Sequence, residues 1–328
     1  MNKIRYLITG INGFVGPHLA NLLMDDGHKV AGLIRETNGR KVDIVDIVPD
    51  KYYSKIDFYY GDLISKESIF HVFKNNKFDG VFHLAAQSHP PTSFVNPIGT
   101  FNANANGTIH IAEAIREFQP KCKLMFCSTS EVYGIVPEKR MPIDESFPIA
   151  PINPYAVSKA AADLYVRERA RSLKLPFFVT RAFSHTGPRR GNIFSISSDA
   201  YQIIRVVKGL QDKVIKIGNI ESKRVVIDVR DCVKAYYLLM QKFTPGEAYN
   251  IGGDRVFSIA ELLNMMLEMR GLKGKVKLVK DPKLVRPIDI PIQVCNSDKC
   301  RKLTGWKPKI PMEKTLKDLL DYWDSKIK

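Results

Sequence analysis

The beginning of the chain carries the feature that most restricts its fold: a short apolar run, a glycine-rich turn and a helical pattern follow one another directly. The apolar run covers residues 4–9, the turn is Gly10-Ile11-Asn12-Gly13-Phe14-Val15-Gly16, and Leu19, Leu22 and Leu23 then recur at helical spacing. In such a turn, glycines let the backbone approach a pyrophosphate at the positively polarised helix N-terminus. The sequence therefore predicts a Rossmann-type α/β domain that binds a dinucleotide.

The rest of the chain continues this alternation of strands and helices. Apolar runs predict further strands at residues 29–34, 57–60, 81–84, 123–127 and 177–181, and a helical pattern covers residues 97–118. Strands that alternate with helices form a parallel, doubly wound sheet.

This pattern also suggests two parts of the chain. We expect residues 1–182 to form the NAD(P)-binding domain and residues 183–328 to form mainly a smaller substrate-binding lobe. Some segments after residue 225 should return to the first domain. Apolar spacing over residues 314–323 predicts a packed terminal helix.

Composition narrows the class of protein. The 328 residues are 45% hydrophobic with a mean hydropathy of -0.16, as in globular proteins. We expect a cytoplasmic protein, because residues 1–10 lack the apolar core of a signal peptide and no apolar run is long enough to cross a bilayer. The five cysteines include no C-x-x-C pair and the seven histidines no H-E-x-x-H motif, so we expect neither a disulfide framework nor a metal site.

The chain is basic, with 50 Lys and Arg residues against 34 Asp and Glu and a net charge of +16. Such a charge suits either a nucleic acid or a phosphorylated small molecule. Because the basic residues are dispersed along the chain, we interpret the charge as affinity for an anionic metabolite and expect no nucleic-acid partner.

A second motif, Asn153-Pro154-Tyr155-Ala156-Val157-Ser158-Lys159, supplies candidate chemistry. Asn153 suits a helix N-cap and Pro154 the first helical position. Tyr155 and Lys159 then lie on one helix face, where the ammonium should lower the pKa of the phenol from its usual ~10. The pair is therefore a candidate acid/base. A solvated helix face that happens to carry both residues is the plainer alternative.

Small and polar residues follow two predicted strands, at the edge where open parallel sheets hold their ligands. Ala85-Ala86-Gln87-Ser88 follows one of them, and Ser128-Thr129-Ser130-Glu131 follows the next. These could be ordinary loop residues, but their position at strand ends favours a functional role. His83, inside the earlier strand, is better interpreted as a packed core histidine.

Arginines indicate the ligand. Arg35 follows the second strand, where an arginine can accommodate a 2′-phosphate, so we expect NADP; Glu36 beside it leaves NAD as the alternative. Arg189 and Arg190 lie in a Gly/Pro loop that suits phosphate clamping, because guanidinium groups match phosphate oxygens.

Taken together, these motifs resemble those of extended short-chain dehydrogenases/reductases of the nucleotide-sugar branch, and the resemblance covers essentially the whole chain. It rests on Gly10, Gly13 and Gly16, Asp62-Leu63, Ala85-Ala86-Gln87-Ser88, Ser128-Thr129-Ser130-Glu131, Tyr155 with Lys159, and Gly187-Pro188-Arg189-Arg190-Gly191. The resemblance implies the catalytic residues Thr129, Glu131, Tyr155 and Lys159. It implies a cofactor site formed by Gly10, Asn12, Gly13, Phe14, Val15, Gly16, Arg35, Asp62, Leu63, Leu84, Ala85, Ala86, Gln87, Tyr155, Lys159, His185 and Arg190. It implies a substrate site formed by Ser88, Ser130, Ser184, Arg189, Asn192, Arg224 and Arg286.

Within this branch the chain is most similar to GDP-mannose 4,6-dehydratases and GDP-4-keto-6-deoxymannose reductases. Thr129-Ser130-Glu131 resembles the dehydratases, whereas Asp228-Val229-Arg230-Asp231 and the stretch from Arg286 to Pro291 resemble the reductases. One departure is Ser184, where the family usually has Asn. Relatives commonly pair through two helices, here the one at 97–118 and the Tyr155 helix, so we expect a homodimer or homotetramer.

The resemblance also implies a reaction. In a dehydratase, Tyr155 takes a proton from the sugar 4-hydroxyl as hydride leaves C4 for NADP. Glu131 then moves the C5 proton to the departing 6-hydroxyl, and hydride returns to C6. A reductase needs no acid/base at C5, so Glu131 favours a nucleotide-sugar 4,6-dehydratase acting on GDP-mannose or a related sugar. The alternatives are a reductase or epimerase and, in another class, a non-catalytic cofactor- or RNA-binding relative.

Overall fold

The structure is a computed structural model that describes residues 3–35 and 42–328. Its strands are β1 (Arg5–Thr9), β2 (Lys29–Ile34), β3 (Asp57–Tyr60), β4 (Gly80–His83), β5 (Lys123–Thr129), β6 (Phe177–Ala182), β7 (Ser184–Thr186), β8 (Val214–Ile217), β9 (Lys223–Asp228), β10 (Ala248–Ile251), β11 (Val256–Ser258), β12 (Lys277–Lys280) and β13 (Ile292–Gln293). Its α-helices are α1 (Val15–Asp25), α2 (Asp50–Tyr53), α3 (Lys66–Asn75), α4 (Pro90–Val95), α5 (Pro97–Phe101), α6 (Gly107–Phe118), α7 (Pro154–Ser172), α8 (Ser195–Val207), α9 (Val229–Lys242), α10 (Ile259–Met269), α11 (Asp298–Thr304) and α12 (Met312–Lys326).

A seven-stranded parallel sheet in the order β10-β6-β5-β4-β1-β2-β3 confirms the predicted doubly wound α/β fold. Both of its faces are covered by apolar clusters, which explains why its strands appear in the sequence as nearly continuous apolar runs. Strand β10, from the second half of the chain, pairs with β6, and α9 packs on α1.

Smaller sheets form the remainder. Strand β9 pairs with β7, β11 and β13, and β8 pairs with β12. Helices α8, α10 and α12 enclose a separate apolar cluster against these strands. The carboxyl ends of the strands in the large sheet face these smaller sheets across a cleft.

The predicted strands at 29–34 and 57–60 are confirmed without a shift, and the strand predicted at 123–127 runs two residues further, to Thr129. The terminal helix is longer than predicted and covers Met312–Lys326. His83 is a core residue as predicted: its ring bonds to the Thr9 and Thr108 hydroxyls at 2.7 and 3.0 Å.

The helix predicted at 97–118 is interrupted. Residues Asn102–Asn106 form a π-helical segment between α5 and α6. Within it, the Asn104 amide accepts a hydrogen bond from the Gln87 N–H at 2.8 Å and donates to the Gln87 carbonyl at 2.9 Å. It also donates to the Ser158 hydroxyl of α7 at 3.0 Å. The wider turn thus fixes the loop after β4 against the helix of the Tyr–Lys motif, in keeping with the frequent occurrence of π-bulges at functional sites.

A buried ion pair fixes α7 on the sheet. Arg181 of β6 is 1% exposed and donates to both carboxylate oxygens of Asp163 at 2.9 and 3.0 Å. Its remaining amino group donates to the Tyr133 hydroxyl at 3.0 Å. Because removing one member would leave a buried charge unpaired, this contact holds the register of α7 against β6.

Candidate active site

The cleft between the large sheet and the smaller sheets has a volume of about 1090 Å³. It is lined by every residue that the sequence predicted for the site except Arg189. The strand-end segments after β1, β4 and β5 meet there, as the carboxyl ends of neighbouring parallel strands must. The cleft is thus the place where a cofactor and a second ligand can meet.

The glycine-rich turn presents bare backbone to one arm of this cleft. Gly10 has φ +71°, and a Cβ there would lie 2.9 Å from the Ala85 Cα. A Cβ on Gly16 would lie 2.5 Å from the Gly10 carbonyl oxygen, so the turn closes only with glycine. Helix α1 begins next to it with no side-chain cap and no acidic residue in its first turn. Free N–H groups at an uncapped N-terminus fit the pyrophosphate of a dinucleotide.

Aromatic and basic side chains form the wall beside this turn. The His185 ring stacks on Phe14 with centroids 5.8 Å apart, and the Arg190 guanidinium lies 4.8 Å from Phe14 and 3.5 Å from Phe194. Burial together with Arg190 lowers the pKa of His185 to about 4, so its imidazole is neutral at pH 7. Arg190 is then the charged group of this wall, although burial lowers its pKa to about 10.

Tyr155 and Lys159 are both buried in the first turns of α7, at the centre of the cleft. The predicted helix start is present: the side-chain oxygen Oδ1 of Asn153 caps the helix by accepting from the Ala156 N–H at 2.8 Å. The Lys159 ammonium lies 4.2 Å from the centre of the Phe126 ring, and burial lowers its pKa to about 8.

The expected fall in the pKa of Tyr155 is wrong. Burial, and then the negative charge of Glu131, raise this pKa above its usual value, and the opposing effects of Thr129 and Arg190 are smaller. Helical spacing puts Lys159 on the same helix face as Tyr155, but it does not reveal that both side chains are buried. Desolvation of the phenolate outweighs the neighbouring cations.

Glu131 enters the cleft from the short 3₁₀ turn after β5, held between two donors. The Asn153 side-chain N–H donates to one carboxylate oxygen at 2.8 Å, and Arg286 lies 3.3 Å from the other. The Glu131 backbone N–H donates to the Thr129 hydroxyl at 3.2 Å. One amide, that of Asn153, therefore both starts the helix of Tyr155 and orients Glu131. The sequence signalled only the first of these roles.

The predicted substrate residues Ser88, Ser130, Ser184, Asn192, Arg224 and Arg286 line the other arm of the cleft. Ser130 is occupied by a neighbour, since its hydroxyl donates to Gln293 at 3.1 Å. Arg224 is half-buried, and its guanidinium lies 3.3 Å from the Asp289 carboxylate. Gln293 was not predicted from the sequence, where nothing sets it apart from other glutamines of the second half. Cations predominate around this arm, which suits an anionic ligand.

Arg189 does not line the cleft, and its predicted contact with a substrate phosphate is wrong. Its backbone has φ +72°, which turns the side chain behind the glycine-rich turn. There its guanidinium donates to the carbonyls of Asn12 and Gly13 at 3.2 and 2.9 Å and to the Asp46 carboxylate at 2.5 Å. Arg189 braces the turn from outside, and Arg190 alone of the two faces the cleft.

Arg35 lies at the cleft, whereas Glu36, the alternative determinant for NAD, lies outside the described residues.

The doubly wound sheet, the glycine-rich turn and the Tyr–Lys helix at one cleft define an extended short-chain dehydrogenase/reductase. More narrowly, the chain belongs to the GDP-mannose 4,6-dehydratase family, whose model matches residues 7–319.

The relatives of this chain include both reductases and dehydratases. The GDP-6-deoxy-D-mannose reductase of Pseudomonas aeruginosa is 30% identical over 324 residues, covering 99% of this chain and 98% of its own. GDP-mannose 4,6 dehydratase 1 of Arabidopsis thaliana is 30% identical over 323 residues, covering 96% of this chain and 88% of its own. The solved structure of RMD from Pseudomonas aeruginosa complexed with NADPH has a TM-score of 0.84 at 28% identity, with 99% of this chain and 100% of that one covered. These similarities support a nicotinamide dinucleotide as cofactor.

The described residues contain neither a membrane-spanning helix nor a group of metal-binding side chains. Within 3–35 and 42–328, no helix is both long and apolar enough to span a membrane. The same ranges hold no cluster of three or more His, Cys, Asp or Glu side chains that could bind a metal ion.

Proposed function

We propose that this protein is a nucleotide-sugar 4,6-dehydratase that converts GDP-mannose, or a closely related nucleotide hexose, to its 4-keto-6-deoxy derivative. The observation that carries the proposal is Glu131, which shares the cleft with Tyr155 and is oriented by Asn153 and Arg286. A carboxylate in addition to the Tyr–Lys pair supplies the second acid/base that loss of water requires.

The chain's own residues account for the proton movements. Tyr155 accepts the proton of the sugar 4-hydroxyl, with Thr129 as its hydrogen-bond partner. The resulting 4-ketone acidifies C5–H, and Glu131 takes that proton and transfers it to the 6-hydroxyl, which leaves as water. Removal of hydride from C4 and its return to C6 is the chemistry that a bound nicotinamide dinucleotide supplies. One nucleotide hexose therefore yields one keto-sugar and one water, with the cofactor unchanged overall.

The charges of the cleft support this assignment of roles. Burial favours the neutral form of Tyr155, so its action as a base depends on nearby cations, of which Arg190 partly opposes the rise in its pKa. Arg224 and Arg286 provide guanidinium groups for the diphosphate of the substrate.

We propose NADP as the cofactor. Arg35 lies at the cleft directly after β2, the place where an arginine can meet a 2′-phosphate. The Pseudomonas aeruginosa relative that binds NADPH supports the same choice.

A second candidate is a reductase that acts on the 4-keto product. The similarity to the Pseudomonas aeruginosa reductase favours it, because the two chains cover each other almost completely, whereas this chain covers 88% of the Arabidopsis dehydratase. In that case Tyr155 would donate its proton, and Glu131 would have no step to perform.

The stoichiometry of the cofactor distinguishes these candidates. Purified protein is incubated with a panel of nucleotide sugars and NADP, and the products are followed by mass spectrometry and by absorbance of the reduced cofactor. We expect one donor to lose one water with no net change in cofactor. Turnover only of a 4-keto sugar, with one NADPH consumed per product, would establish the reductase instead.

A further inference from the structure

One buried carboxyl group in the cleft takes no part in the chemistry above. Asp199 of α8 lines the cleft and is 4% exposed. Its carboxylate makes no hydrogen bond or ion pair with any residue in the ranges that the structure describes, and burial is the cause of its raised pKa, about 7. An unpartnered buried carboxylate is costly, so a ligand with hydrogen-bond donors is the partner that such a group lacks.

The helix contacts locate this carboxylate. Gln202, one turn further along α8, donates to the Lys216 carbonyl at 2.9 Å and accepts from the Lys216 N–H at 2.8 Å. Residues three apart share a helix face, so Asp199 faces the end of β8. There, Lys216 and Gly218 also line the cleft.

A series of contacts leads from the reacting groups to this place. Glu131 contacts Arg286, and its neighbour Ser130 bonds to Gln293. Gln293 pairs in register with Arg224 of β9. Two residues on, Val226 joins the apolar cluster that contains Ile196 and Ala200 of α8, the latter adjacent to Asp199. A nucleotide sugar with its hexose at Glu131 and its diphosphate at the arginines therefore extends its base towards Asp199.

We propose that Asp199 reads the base of the nucleotide and selects guanine, an inference that rests on the proposed nucleotide-sugar substrate. An ionised carboxylate offers two acceptors and no donor. Guanine alone presents two adjacent donors, N1–H and the 2-amino group, on one edge. Uracil and thymine offer one donor between two acceptors, and adenine and cytosine offer a donor beside an acceptor, so none of them satisfies both oxygens.

The surroundings suit a base. Ile196 and Ile259 line the cleft and belong to the cluster beside Asp199, which gives an apolar setting for a flat ring. In such a setting a site built for two hydrogen bonds rejects a ligand that lacks a donor, because a polar group is then left unpaired.

The test compares diphosphates that differ by single hydrogen-bonding groups. The full-length protein is titrated by calorimetry at pH 8, where the Asp199 carboxylate is ionised, with GDP, IDP, XDP, UDP and ADP. IDP lacks only the 2-amino group, so we expect it to bind about tenfold more weakly than GDP, the effect of one charge-assisted hydrogen bond. UDP and ADP should bind more weakly still.

The variant Asp199→Asn changes the hydrogen-bonding groups of the side chain while keeping its shape, and so provides a second test. Its amide offers one acceptor and one donor, which complement N1–H and O2 of xanthine. We expect GDP to bind about tenfold or more weakly and XDP to become the preferred ligand. The control Asp212→Asn changes an exposed carboxylate in the loop before β8 and should leave both affinities unchanged.

Several outcomes would overturn the proposal: equal affinity of the wild-type protein for GDP and IDP, tighter binding of UDP or ADP, or no shift towards XDP in Asp199→Asn. The first two need no variant. GDP selectivity without loss of water from GDP-mannose would leave Asp199 as the base reader and refute the dehydratase. Water loss from a UDP- or dTDP-sugar without preference for GDP would support the dehydratase and refute the role of Asp199 as the base reader.

Discussion

At the scale of single residues, Glu131 carries the distinction between a lyase and a reductase. Its carboxylate is oriented by two neighbours: the Asn153 side-chain N–H donates to one oxygen, and Arg286 lies at the other. A carboxylate held in this way keeps a fixed direction while it exchanges a proton. Its removal should therefore affect one step of the reaction and leave another intact.

Glu131→Gln should slow loss of water by about 10²- to 10⁴-fold, the usual contribution of a general acid/base. Oxidation at C4 should continue, because Tyr155 and Lys159 are unchanged, so reduced cofactor and an unreduced keto-sugar should accumulate. Mass spectrometry of the sugar and cofactor absorbance measure the two steps separately. Tyr155→Phe is the matched comparison and should stop both. Water loss at a near-native rate in Glu131→Gln would remove the C5 role of this residue.

Asp199 also predicts how stability depends on pH. Its pKa is raised by burial to about 7 in the folded protein, against about 3.9 in an unfolded chain. Folding therefore favours the protonated form, and the contribution of Asp199 to the free energy of unfolding declines as pH rises from about 4 to 7. Asn does not titrate, so the melting temperature of Asp199→Asn should exceed that of the wild type at pH 8 and approach it at pH 4. The ionisation penalty grows by roughly 1.4 kcal/mol per pH unit in this range. A difference between the two proteins that is constant with pH would contradict this origin.

At the scale of elements, the start of α7 and the position of Glu131 depend on the same side chain. The Asn153 oxygen caps the helix, and its nitrogen donates to Glu131. Buried Asp163 and Arg181 then fix the helix on β6. The acid/base pair and the second carboxylate are thus set in place by one helix and its cap.

Substitution of Asn153 can separate these two roles. Asn153→Ser keeps a good capping oxygen but loses the donor to Glu131, so the free energy of unfolding should change by only a few tenths of a kcal/mol. Loss of water from the substrate should slow, because the donor that orients the Glu131 carboxylate is missing, while oxidation at C4 continues. Asn153→Ala should show the same kinetic change and lose about 1 kcal/mol of stability in addition. An unaltered rate of water loss in Asn153→Ser would show that this contact does not position Glu131.

Element boundaries show what the sequence does and does not reveal. Strands buried on both faces, such as Lys29–Ile34, are continuous apolar runs and were predicted to the residue. The π-helical turn at Asn104 was not, because it follows from side-chain contacts to Gln87 and Ser158 that are distant in sequence. Likewise, the sequence does not distinguish the adjacent arginines at 189 and 190, and only the backbone turn at Arg189 separates their roles.

The same holds within the site. Spacing brought Tyr155 and Lys159 together, but their titration depends on burial, which spacing does not give. Asp199 follows three serines and an isoleucine at the start of α8, a pattern that resembles a solvated helix turn. Its burial becomes evident only when α8 is placed against β8.

At the scale of the whole molecule, one exposed apolar face is left on the structure. Apolar side chains of α4, α5 and α7 lie beside one another there: Val95 is 88% exposed, Ile98 75% and Val157 44%. Ile98 and Val157 belong to the two helical regions, 97–118 and the Tyr155 helix, from which the sequence predicted self-association, and Val95 lies just before the first of them. We therefore expect a second copy of the chain to cover this face.

Ile98→Asp should convert the dimer to a monomer, because a carboxylate in an apolar interface must leave water without a partner. Analytical ultracentrifugation at a fixed protein concentration measures the change. Val207→Asp, an exposed apolar residue at the far end of α8, is the control and should leave the mass unchanged. A wild-type protein that sediments as a monomer would exclude this interface.

The brace behind the glycine-rich turn has a consequence for how the molecule is assembled. Asp46, which receives Arg189, also accepts from the Tyr322 hydroxyl at 3.2 Å and pairs with Lys326 at 3.3 Å, both in α12. The support of the glycine-rich turn thus depends, through Arg189 and Asp46, on a helix that is made after every strand of the large sheet. A nascent chain that has completed its Rossmann strands still lacks the support of its pyrophosphate seat, so cofactor capture becomes a late event in biosynthesis.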